Sequence, residues 1–107
     1  MEYDSKQVRR LRGAPRRKIF HPVELRAGGN ARRAHLLDLS AGGALAHCVD
    51  PPAAGVSIIL VIGEVAHAAS VMWRDGLRFG MAFRFHLSAA EIERVTAQAT
   101  IPVSVAR

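Results

Sequence analysis

Six short runs of β-forming residues, each ended by a turn signal, constrain this chain more than any other feature. Pro22 to Arg26 carries Val23 and Leu25 in alternation, and Arg32 to Leu39 sets Ala34, Leu36 and Asp38 against His35, Leu37 and Leu39. Gly42-Gly43 marks a turn before Ala44 to Val49, and Pro51-Pro52 with Gly55 ends that run. Val56 to Ile62 is apolar and β-branched almost throughout, the pattern of a strand buried on both faces. Gly63-Glu64 turns into Val65 to Arg74, and Asp75-Gly76 is a two-residue hairpin signal ahead of Leu77 to Phe85. Ser88 followed by Glu91 forms a capping box for a helix from Ala89 to Gln98, with Ile92 and Val95 inward and Pro102 beyond its end. The prediction is an all-β chain with one C-terminal helix, folded as a six-stranded antiparallel β-barrel.

A chain of 107 residues has room for one such domain. Half of the residues are apolar but only 6% are aromatic, so Val, Ile, Leu, Met and Ala must fill the core. Cys48 stands alone, which excludes an internal disulfide and a multi-cysteine metal site, and its apolar setting reads as a buried, inert thiol. No apolar run approaches the roughly 18 residues of a membrane span. The N-terminus is charged and has no apolar signal core, so a cytoplasmic protein without membrane insertion is expected.

The net charge of +6 is concentrated. Residues 1–18 hold seven basic side chains against Glu2 and Asp4, which leaves the remainder nearly neutral. We therefore expect a flexible basic arm over residues 1–18, with a short helical turn near Ser5 to Leu11. The barrel and its helix would occupy 19–98, and a short tail 99–107. Proteins that grip a long polyanion spread cations over a folded face. One cationic arm on a neutral body suits a compact anion at least as well, and a nucleic-acid-binding barrel is the alternative.

Two segments carry candidate chemistry. Arg12 and Arg16 stand four apart beside Gly13 and Pro15, where an extended or turned backbone presents both guanidinium groups. Such forks pair with phosphate or with guanine acceptors and stack on purines, although two arginines in a basic arm also read as a solvated charge run. Asp38-Leu39-Ser40-Ala41-Gly42-Gly43 lies at the end of one predicted strand and the start of the next. The carboxylate can accept from a guanine edge or an arginine, the serine can donate to phosphate, and glycines permit positive φ and close approach of a ligand. A serine- or aspartate-stabilised turn needs much the same residues. Elsewhere, His21, His35, His47, His67 and His86 lack metal-ligand spacing, although His35 and His47 are placed to meet across a hairpin. Trp73, Phe79, Phe83 and Phe85 read as barrel or helix packing. Ser40 lacks a nucleophile elbow and a His–acid pair, so no catalysis is expected.

Together, Arg12-x-x-x-Arg16 and Asp38-x-Ser40-x-x-Gly43 resemble the paired signature of PilZ domains, with Pro15 and the Val71-Met72-Trp73-Arg74 to Phe79-Gly80 hairpin extending the similarity. The resemblance implies a six-stranded barrel that is not an enzyme and binds cyclic di-GMP on its outer face. Arg12 and Arg16 would contact guanine and phosphate, and Asp38 and Ser40 would meet guanine edges or phosphate. Gly43, with Ala41 and Gly42, would keep the surface open. Leu11 stands where an arginine would stack on a second guanine, which favours one ligand molecule per site, although Arg9 and Arg10 lie close enough to compensate. The message would pass by contact with an effector protein, the alternative being a PilZ-like interaction module that binds no ligand.

Overall fold

The structure, a computed structural model, describes residues 16–98. Strands β1 (Arg17–Ala27), β2 (Asn30–Leu39), β3 (Gly43–Cys48), β4 (Ser57–Ile62), β5 (Val65–Asp75) and β6 (Arg78–Phe83) precede helix α1 (Ala89–Gln98). The strands pair antiparallel throughout and close into a barrel in the order β1-β2-β3-β6-β5-β4. The six-stranded barrel with one C-terminal helix is thus the fold that the turn signals predict. Residues 1–15 and 99–107 lie outside the described range, and with them the expected helical turn near Ser5 to Leu11.

Closure gives every strand one wet face and one dry face. Leu25, Leu36, Leu39, Leu60, Val71 and Phe79 are the largest fully buried side chains, and each contributes about 1.5–3 kcal/mol of transfer free energy. β4 corrects its prediction, because its burial alternates instead of covering both faces. Ile58, Leu60 and Ile62 point inward, and Ile59 remains 37% exposed. A closed barrel has only one interior, so the apolar outer residues of β4 stay at the surface.

β1 begins earlier than expected. Arg17 and Lys18, assigned to the arm by their charge, pair with Leu39 and Asp38 of β2. Their neighbour Ile19 is buried, and Arg17 reaches Glu93 of α1 at 3.5 Å, fastening the start of β1 to the helix. Pro22 is tolerated within β1 because only Glu24 to Arg26 pair with β4, leaving that stretch with a neighbour on one side. The β5–β6 hairpin is displaced by one residue from its predicted position. Asp75 pairs with Arg78, so Gly76 and Leu77 form the loop, with Gly76 at φ 65°.

Two bulges then decide which side chains face outward. In β2 the register passes from Leu36↔Ala46 to Asp38↔Leu45, leaving Leu37 as the extra residue. In β5 it passes from Val71↔Met81 to Trp73↔Gly80, leaving Met72 over. Strict alternation would have placed Asp38 beside Leu36 and Trp73 beside Val71, inside the barrel. The bulges reset the phase, so that Leu39 enters the core and Asp38 takes the outer face. Trp73 likewise lies outside, 45% exposed, against Gly80, where its indole fills the space a Cβ would need. The expectation of aromatic packing therefore holds for buried Phe79 and Phe83 but not for Trp73 or for Phe85, which is 72% exposed.

Leu87 and Val95 are buried in the same core, to which α1 adds one turn of apolar contact. The capping box forms as read: the Ser88 amide donates to Glu91 Oε1 at 2.7 Å, and the Glu91 amide donates to Ser88 Oγ at 3.1 Å. These bonds hold the Glu91 carboxyl below its ordinary range. A helix of ten residues has little intrinsic stability and depends on this cap. Ser88→Ala should cost about 1 kcal/mol. In thermal unfolding the midpoint should fall by roughly 4–8 °C.

Candidate functional site

The extra residue in β2 leaves Asp38 outside the barrel yet only 7% exposed. A carboxylate so placed needs partners, because removing it from water is costly. Arg16 provides one, its guanidinium donating to Asp38 Oδ2 at 3.3 Å. The contact is single rather than bidentate, and the Arg16 side chain is half-exposed, so the guanidinium retains donors that point elsewhere. Asp38 Oδ1 is buried and has no hydrogen-bond partner among the described residues.

The adjoining turn is built without Asp38. The Ser40 amide donates to the Gly43 carbonyl at 2.9 Å, and the Ser40 hydroxyl donates to the same oxygen at 3.3 Å. The serine-stabilised turn read from the sequence is therefore present, and the aspartate takes no part in it. Ser40 is itself buried. Its hydroxyl proton is engaged inside the turn, which leaves its lone pairs as the accessible chemistry.

The glycines act differently from the sequence expectation. Neither Gly42 nor Gly43 has positive φ; those conformations fall at Gly28, Gly29, Gly55, Gly63 and Gly76. A methyl group at Gly42 would meet the His86 ring at 3.6 Å, an ordinary contact. At Gly43 it would collide with the Met81 carbonyl of β6, a backbone group that cannot step aside. Gly43 is thus glycine because β3 and β6 approach closely. Ala41 and Gly42 offer their carbonyls to the amides of Leu87 and Phe83, each at 2.9 Å.

Register lines up the outer face around Asp38. Lys18, Asp38, Leu45, Gly80 and Trp73 stand opposite one another across β1, β2, β3, β6 and β5. At about 4.8 Å per strand, the row from Lys18 to Trp73 spans roughly 19 Å. The parallel row holds Pro22, His35, His47, Arg78 and Asp75, so His35 and His47 do meet across β2 and β3. Phe20 stacks on His35 with centroids 4.6 Å apart and planes 10° from parallel. The surface therefore combines a cation, a buried carboxylate, a half-exposed indole and an adjoining row with two imidazoles and an Arg78–Asp75 pair in register. Its chemistry suits a flat anionic molecule with a donor edge.

Of the predicted site residues, the structure brings Arg16 to Asp38 and places Ser40, Ala41, Gly42 and Gly43 in the turn beside them. Arg12 and Leu11 lie outside the described residues. Sequence reading missed Trp73: an Asp75-Gly76 loop would pair it with Arg78, whereas the observed pairing of Asp75 with Arg78 sets it opposite Gly80. No group of three or more potential metal ligands occurs among the described residues. Cys48 is buried in the core with its thiol 3.6 Å from the Arg33 carbonyl.

His21, in register with inward-facing Leu36, has a buried Nδ1 without a partner among the described residues. Burial lowers its pKa below the ordinary 6.5. The unfolded chain therefore takes up this proton first, and stability should fall as pH drops below about 6.5. Thermal melts at about pH 7.5 and about pH 5.5 should show a loss that His21→Leu reduces. Gly43→Ala tests the β3–β6 approach. It should destabilise the fold by about 1–3 kcal/mol in denaturant titrations.

A family model described as PilZ domain matches residues 10–99. No curated protein matches the chain.

Proposed function

This chain belongs to the PilZ domain family, and from that premise we propose that it is a cytoplasmic receptor for cyclic di-GMP that signals by contact with an effector protein and has no catalytic role. The observation that carries this reading is the state of Asp38. It is buried, excluded from the turn bonds beside it, paired on one oxygen with Arg16, and without a partner among the described residues on the other. A guanine Watson–Crick edge presents N–H donors that match such an acceptor.

In this reading Arg16 shares its remaining donors between Asp38 and the ligand, and Arg12 joins it from the arm, gripping phosphate or a guanine Hoogsteen edge. Ser40 accepts through its lone pairs, and Ala41, Gly42 and Gly43 form a low wall with no long side chain to obstruct the ligand. Trp73, at the far end of the row, offers a half-exposed aromatic face. Leu11 cannot stack as an arginine would, so each site takes one ligand molecule. The arm, ordered when the ligand is held, alters the surface an effector reads.

Isothermal titration of cyclic di-GMP into the full chain, with cyclic di-AMP and GTP as controls, tests this. Saturable one-to-one binding is expected for cyclic di-GMP. Each hydrogen bond to a charged group contributes about 1.5–3 kcal/mol, so Arg16→Ala and Asp38→Ala should each weaken binding by about 10- to 150-fold. Absence of heat from the wild type at high ligand concentration would refute the receptor reading. Equal, steeply salt-dependent binding of oligonucleotides would point instead to a nucleic-acid-binding barrel.

A further inference from the structure

The β4–β5 side of the barrel carries a second surface that the ligand row does not use. A groove of about 740 Å³ runs over Ile59, Ala68, Ser70, Met72, Ala82 and Arg84, with Arg26 on its opposite rim. Ile59 and Ala68 continue into an adjoining cleft lined by Val65, Phe85 and Leu87, so the two form one apolar depression. Isolated apolar residues on a surface are ordinary, whereas a contiguous, polar-rimmed patch marks an interaction site. Here Met72 is 59% exposed and Phe85 is 72% exposed.

The charged side chains that line the groove itself are both arginines. Arg84 makes no ion pair with a described residue and lies over the Phe85 ring at 5.7 Å. Arg26 is the second, and Glu24 holds it at two points, through Nε at 3.0 Å and Nη2 at 3.4 Å, in a half-exposed pair. Glu91 of the adjoining cleft remains a carboxylate within the helix cap, so the cationic end of the depression is the groove. An apolar floor whose groove end is lined by arginines complements a segment that presents apolar side chains beside carboxylates.

The depression is also tied to the Asp38 turn. Its segment from Ala82 to Leu87 donates the Phe83 amide to Gly42 and the Leu87 amide to Ala41. In register, Gly43, Ala82, Ser70 and Ser57 stand in one row from the turn to the groove floor. A shift of the turn therefore has a backbone route to the groove.

We propose that this depression is the docking surface for an acidic segment of a partner protein with apolar anchors, and that the Ala82–Leu87 segment couples it to the turn. The docking surface itself stands independently, while its regulation by ligand rests on the receptor reading above. Selection of a displayed library of random peptides on the full chain tests the surface. Enriched peptides should combine aromatic or large aliphatic residues with Asp or Glu. Their affinity should fall by at least about 10-fold with Arg84→Glu and with Phe85→Ser. Both substitutions fall outside the ligand row and should leave the cyclic di-GMP titration within about twofold of wild type. Peptides without an acidic bias, peptides that bind both variants as well as wild type, or failure to enrich any would overturn the proposal. So would self-association of the wild type in sedimentation that Phe85→Ser abolishes, since a second copy would then be the occupant. Adding cyclic di-GMP should change peptide affinity. An unchanged value overturns the coupling, and cyclic di-GMP that fails to bind at all condemns the receptor reading while the docking result stands.

Discussion

Alternation of side chains along a strand is unforgiving in a closed barrel, because one face is the core and the other is solvent. A strand can change which residues it shows to solvent only by absorbing an extra residue. β2 does so at Leu37 and β5 at Met72. The outcome is that Asp38 and Trp73, separated in sequence and carried on strands that are not neighbours, reach the same outer row while Leu39 and Val71 remain inside. Every other feature of the site depends on that placement. Arg16 has a carboxylate to meet only because Asp38 is outside, and the slip at Met72 lets Trp73 lie outside on Gly80 while Val71 stays in the core.

The turn after β2 divides its labour in a way that separates folding from recognition. Ser40 closes it through two bonds to one carbonyl, and Gly43 admits the backbone of β6. Asp38 contributes nothing to that closure. A buried carboxylate that serves no local structure and keeps one oxygen unpaired among the described residues is a standing electrostatic cost. The fold tolerates it beside Arg16, at a position where guanidinium and carboxylate together face outward.

Much of this was legible in the sequence, and each failure has a physical cause. Turn chemistry at Gly63 and Gly76, the capping box at Ser88 and Glu91, and the alternating apolar runs predict six strands, closure and the helix. Arg12, Arg16, Asp38, Ser40 and Gly43 could be singled out by type and spacing. Bulges carry no such signal, since Leu37 and Met72 are ordinary apolar residues inside apolar runs. Period-two reading therefore assigned Trp73 to packing and had no means to place Asp38 outside. Charge misled at Arg17 and Lys18, which belong to β1 because a barrel strand needs only its inner residue, Ile19, to be apolar. At position 43 the expected positive φ is absent, and what the fold requires of glycine there is room for the backbone of β6.

The resting place of the indole on Gly80 has a practical corollary. The chain contains one tryptophan, and it stands at the end of the Asp38 row, half in water and half against a glycine of the neighbouring strand. Its fluorescence is therefore not an average over the molecule but the emission of one address on the outer face. The barrel carries its own optical label, and events on that row can be followed in the unmodified protein.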